Sequence, residues 1–247
     1  MEGNQNVQLI SKEGFLSFIE CEAKLRLDDF IDGAIEVAEE IHSGVKREDD
    51  LSPFLETHTW PVTIDVVKHY RSVNRHITSV EIACAILHDV LEDNDRILDL
   101  YQTKAYGFEA YLSYRFGNRI YKMATELKIR PLENYAGSTD EERQLSRFQN
   151  YCDILMSAEY DVKAIKLADR LNNMKFIISS AISTSPTKLI QEKIKRYLRE
   201  AEDFYLAYTM LAPKMPNYYV RLRSAFNELR SVYYEHNVSA NPSLNKL

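Results

Sequence analysis

Apolar residues recur at intervals of three and four almost from end to end of this 247-residue chain, and glycine and proline number only seven each. Such spacing lays an apolar stripe along one face of a helix. So few glycines and prolines leave too few sites for the turns that a β protein needs. The expected fold is therefore all-α, a helical bundle with a C-terminal helical extension and no strand. The length sets a single domain as the expectation. An apolar content of 45% against 28% charged residues is that of an ordinary globular protein with a full core.

The spacing predicts helices over Lys12–Leu25 and Leu27–Ile41, the second turning Phe30, Ile31, Ala34, Ile35, Val37, Ala38 and Ile41 inward. The charged stretch His42–Thr57 contains Pro53 and reads as a loop. The next helix starts near Pro61, since proline suits a first turn, and ends near Val73. Thr78-Ser79-Val80-Glu81 has the form of a capping box. It opens a helix that carries His88 and Asp89 at its C-terminal end. A long helix is expected over Phe108–Ile129, interrupted at Gly117, followed by a loop over Pro131–Thr139. Further helices are expected over Asp140–Met156, Val162–Ser179, Thr187–Leu211 and Tyr219–Tyr234. The polar tail, residues 237–247, reads as frayed. No repeat, low-complexity stretch or shift of composition marks a second domain.

The formal net charge of −6 argues against a nucleic-acid groove, which needs a basic face, and leaves room for a local basic pocket. Cys21, Cys84 and Cys152 are odd in number and widely spaced. They read as small buried hydrophobes in a reducing compartment, neither a disulfide framework nor a cysteine metal site. The N-terminus has no basic and apolar leader, and no apolar run approaches the ~20 residues that span a bilayer. A cytoplasmic protein with no membrane partner is expected.

The chemistry-bearing residues stand out against this background. His88 and Asp89 directly follow an apolar run, and Glu92 and Asp93 come three and four residues after Asp89. Such a polar group is costly to bury unless it serves a site. Asp169 is set among Ile165, Leu167, Ala168, Leu171 and Met174, with Asn173 one turn on. An aspartate in such a run is rarely buried without a partner. With His58, two imidazoles and two carboxylates offer nitrogen and hard oxygen to a divalent ion such as Mn, Fe or Zn. The lack of paired cysteines argues against a purely structural zinc site. Glu92 and Asp93 are then placed to orient an attacking water and take its proton.

Four stretches in order resemble the HD-domain phosphohydrolases, and within them the hydrolase domain of the RelA/SpoT alarmone proteins. They run from Ala38 to Arg47, Leu87 to Asp93, Tyr114 to Lys128 and Asp161 to Met174. The last, with Lys166-Leu167-Ala168-Asp169-Arg170-Leu171-Asn172-Asn173-Met174, is the most specific. The resemblance covers about 27–205, leaving C-terminal helices over 206–236, and implies a single HD-type domain over 1–247. It further implies a metal, usually Mn, on His58, His88, Asp89 and Asp169, with Glu92 and Asp93 catalytic. The substrate contacts it implies are Arg47 stacked on the base, Lys128 near the phosphates, Asn173 at the nucleotide and Tyr197 at the substrate. The implied reaction is hydrolysis of the 3′-pyrophosphate of ppGpp or pppGpp to GDP or GTP plus pyrophosphate, by a stand-alone hydrolase of the stringent response. The chain departs from the family at Glu48, where the family has lysine, and at Asn172, where it has histidine. It is also longer between His58 and His88 and over 94–110.

Two other readings use the same residues. An HD-type enzyme acting on a different nucleotide needs the same metal ligands. A non-catalytic nucleotide-binding regulatory module would use the aromatic C-terminal helices, with Phe204, Tyr205, Tyr208, Tyr218, Tyr219, Tyr233 and Tyr234, as a partner surface. Packing of those aromatics in the core is the simpler reading, and a homodimer is compatible with either.

Overall fold

The computed structural model describes residues 9–49, 51–92, 107–183, 187–200 and 214–240. Helix α1 (Lys12–Phe18) starts where the Ser11 hydroxyl accepts the Gly14 N–H at 3.1 Å. The helix expected to continue to Leu25 instead widens into a π turn over Ile19–Ala23, which Lys24 ends in the left-handed region at φ 56°. Helix α2 (Asp29–His42) is capped by the Asp28 carboxylate, which accepts the Phe30 and Ile31 N–H groups. The inward residues expected on α2 are buried except Phe30, which is 37% exposed at the first turn.

A wide π turn over Leu55–Thr59 leads directly into α3 (Trp60–Ser72), with Pro61 in its first turn. Helix α4 (Ser79–Ile86) opens on the expected capping box of Thr78 and Glu81. Helix α5 (Gly107–Leu127) is bent at Gly117, whose φ of 78° and ψ of 167° suit glycine alone. Helix α6 (Asp140–Ser157) has a second capping box, made by Thr139 and Glu142. Helices α7 (Tyr160–Ser183), α8 (Lys188–Arg199) and α9 (Pro216–Ala240) complete the bundle. The helix expected to run on to Leu211 reaches Arg199, and residues 201–213 lie outside the described residues.

Among the described residues there is no strand, only one isolated bridge between Lys46 and Pro53. No described helix is long and apolar enough to cross a membrane.

Helix α7 is the axis of the fold. It packs against α3 and α9, and more lightly against α5, α6 and α8. Ile165, Leu167, Ala168, Leu171, Met174, Ile177 and Ile178 are all buried along it, so most of its circumference is covered. Each fully buried aliphatic side chain contributes about 1.5–3 kcal/mol. An aspartate in the middle of such a helix is delivered to the centre of the molecule. A polar brace ties its N-terminal end to the bundle. The Arg119 guanidinium donates to Glu81 at 2.8 Å and to Asp161 at 3.0 Å, and the Tyr70 hydroxyl also donates to Asp161.

Candidate metal centre

Three segments bring the polar side chains together. His58 sits in the wide turn before α3, where Thr57, His58 and Thr59 are all buried. Helix α4 ends at Ile86, and Leu87, at φ −90° and ψ 6°, begins a run of turns through Glu92. Adjacent side chains diverge by ~100° on a helix. Leaving the helix before His88 lets His88 and Asp89 face one point. Asp169 reaches the same point from the middle of α7.

His58 Nε2 lies 2.8 Å from Asp89 Oδ2, 3.1 Å from His88 Nε2 and 3.5 Å from Asp169 Oδ1. His88 Nε2 lies 3.0 Å from Asp89 Oδ2. The facing atoms of His58, His88 and Asp169 all fall within 4.8 Å of one another.

Hydrogen bonds on the far sides of the two rings decide which nitrogen of each points inward as a lone pair. Arg47 Nη1 can only donate, and it meets Asn172 Oδ1 at 2.8 Å, so that atom is the amide oxygen. The same oxygen lies 2.7 Å from His58 Nδ1, which must therefore donate to it. His88 Nδ1 donates to the Ala85 carbonyl at 2.7 Å. Both imidazoles thus turn an Nε2 lone pair toward two carboxylate oxygens. Four acceptors crowding one buried point need a positive centre among them, a proton or a cation. Without a cation the protons stay. Burial opposes charge on His88, but Asp89 outweighs it and pushes the His88 pKa up to about 9. Burial likewise raises the Asp89 carboxyl, yet His88 and His58 hold it well below the usual carboxylate range. The donor set of two neutral imidazoles and two carboxylates fits Mn, Fe or Zn.

Glu92 stands beside this group. Its Oε1 accepts the Ile129 N–H at 2.9 Å. Burial, reinforced by the Asp89 charge, pushes its pKa up to about 8. Asp93, expected as its catalytic neighbour, lies outside the described residues.

A cavity of about 640 Å³ opens from the metal donors, a size suited to a nucleotide. Arg47, Asn173 and Tyr197 line it, whereas Lys128 does not. The ammonium of Lys128, just past the end of α5, instead lies 3.5 Å from Glu109 in the first turn of that bent helix. Arg47 is no solvated loop charge. It is 4% exposed, its guanidinium lies 3.8 Å above the Phe176 ring, and it donates to Asn173 Oδ1 at 2.6 Å. Asn173 in turn donates to Asp169 Oδ1 at 2.5 Å, which aims that carboxylate. Tyr197 is buried under the guanidinium of Arg170, 3.7 Å from its ring, and Arg170 pairs with Glu200 at 2.8 Å. Glu48 forms an ion pair with Lys193 of α8, so its charge closes a contact between the loop and that helix. Burial raises the Glu48 carboxyl, and Lys193 more than compensates and holds it below its usual value.

Sequence reasoning treats Asn172 as a bystander because it is no ligand. In the fold it orients His58 and anchors Arg47 with a single oxygen. The adjacent half-buried asparagines Asn172-Asn173, one turn after Asp169, are the available signal. Cys84 is buried and Cys152 half-buried, but Cys21 is exposed in the π turn after α1, so the expectation of three buried thiols fails there. No family model matches the chain.

Proposed function

We propose that the protein is a metal-dependent phosphohydrolase that removes the 3′-pyrophosphate of guanosine alarmones, giving GDP or GTP and pyrophosphate. One observation carries the reading: His58, His88, Asp89 and Asp169 converge on one buried point with both imidazole tautomers fixed to present lone pairs. The alarmone assignment itself rests on the resemblance of the motif stretches, above all Lys166 to Met174. A divalent ion held there supplies a Lewis acid that polarises a phosphoryl oxygen and makes water a usable nucleophile near neutral pH.

The side chains around it do the rest. Asn172 and the Ala85 carbonyl keep the rings in register, and Asn173 aims Asp169. Arg47, stiffened by Phe176 and the two asparagines, offers a planar cation beside the nucleotide base. Glu92, beside the donor group, would take the proton that the attacking water loses once a bound cation favours its ionised form. Water adds to the phosphorus next to the ribose, and the 3′-oxygen leaves with the electron pair of the broken P–O bond and gains a proton.

A substrate panel with Mn tests the assignment. Pyrophosphate released from ppGpp at least ten times faster than any phosphate product from GTP, dGTP or AMP supports it. Preference for one of the other nucleotides overturns the alarmone reading in favour of a different HD-type substrate.

A further inference from the structure

The wall of the cavity contributed by α6, α7 and α8 is basic, and its cations are not equivalent. Lys193 is paired with Glu48. Arg170 is paired with Glu200 and packed among Phe148, Tyr151 and Tyr197. Arg196 makes a loose ion pair with Glu200, at 3.8 Å, and its guanidinium lies 5.6 Å from the Tyr197 ring. Arg147, on α6, lines the cavity and makes no hydrogen bond or ion pair among the described residues.

We propose that Arg147 and Arg196 form an anion subsite that seats a second phosphate group of the substrate, on the wall of α6 and α8 rather than among the metal donors. This rests on the phosphohydrolase reading and narrows it: the substrate carries anionic phosphate at two separated places, one at the metal centre and one at this wall.

An unpaired, half-buried guanidinium next to a second arginine is an arrangement that folding alone does not favour. Burial first, and then the Arg196 charge, hold the Arg147 guanidinium below its usual value. A phosphate dianion relieves both at once, and two guanidinium forks match its oxygens. The metal donors cannot seat it without a cation, because Asp89 and Asp169 repel an anion. Inorganic pyrophosphate in EDTA therefore reads the cations of the cavity, and the comparison with Arg147→Met isolates the wall.

The experiment is calorimetric titration of inorganic pyrophosphate into the full chain in EDTA, for wild type, Arg147→Met and Lys193→Met, with thermal unfolding of each protein beside it. One site is expected in wild type, weakened at least tenfold by Arg147→Met and less than threefold by Lys193→Met, whose charge Glu48 already neutralises. Because Arg147 is unpaired, Arg147→Met should unfold at the wild-type temperature or above, whereas a structural arginine would lower it. Equal binding by wild type and Arg147→Met, or no binding by wild type, overturns the subsite. Pyrophosphate binding that depends on Arg147 in a protein that hydrolyses none of the nucleotides would refute the phosphohydrolase reading and leave the subsite standing.

Discussion

At the scale of single residues, the centre depends on side chains that touch no metal. The amide of Asn172 sets the His58 tautomer and holds Arg47. Asn172→Leu should weaken Mn binding about 10–100-fold, the usual cost of losing an outer hydrogen-bond partner. The readout is a competition titration against a fluorescent chelator, and unchanged affinity would remove Asn172 from the design. Much of this scale is legible in the sequence. The His88-Asp89 pair and Asp169 are conspicuous because a carboxylate in an apolar run must answer for its burial. Arg147 is not legible and Asn172 only as half of an asparagine pair, because an asparagine or an arginine on a helix has an exposed face by default. Only the packing of α6, α7 and α8 decides otherwise. Lys128 shows the reverse case: a helix-end lysine matches a motif, and in the fold its ammonium lies beside Glu109, outside the cavity lining.

At the scale of elements, the ends of helices matter more than their middles. The capping boxes of α4 and α6 and the break at Gly117 are readable because each needs particular residue types at fixed spacing. The π turns after α1 and before α3 are not readable, since the same apolar spacing continues through them. The bend at Gly117 gives a direct test. Gly117→Ala should cost about 1–3 kcal/mol in urea unfolding, because its φ and ψ are closed to other side chains. A loss below 0.5 kcal/mol would mean that α5 straightens at no cost. The junction of α3 and α7 gives another. His69 Nε2 bonds the Tyr160 hydroxyl at 2.7 Å, and burial lowers the His69 pKa from 6.5 to about 4. The folded pKa is the depressed one, so as pH falls the unfolded chain takes the proton first. The stability that neutral His69 contributes is full above about pH 6.5 and is lost as pH falls toward 4. His69→Gln should flatten the stability profile in that window by roughly 2 kcal/mol, measured by urea midpoints from pH 4 to 7. An identical slope in the variant would assign the loss to other groups.

For the whole molecule, the all-α fold follows from the spacing because α7, covered on most sides, organises helices that each need one apolar face buried. The four candidate ligands come from a turn, a helix end and a mid-helix position, so an ion held there would stitch three segments of the native fold and have no equivalent in the unfolded chain. Mn at a hundred times its dissociation constant should add about 2.7 kcal/mol to stability, and EDTA should remove it. Differential scanning calorimetry with and without EDTA checks this, and no shift of Tm would argue against a site built from all three segments. The most direct test of the central claim is release of pyrophosphate from ppGpp by wild type and Asp89→Ala, each with Mn and each checked for bound metal. The account predicts release by wild type alone, with Asp89→Ala folded, depleted of metal and slowed at least ~10³-fold. Release at similar rates by both proteins would contradict it, because the reaction would then not run through these four donors.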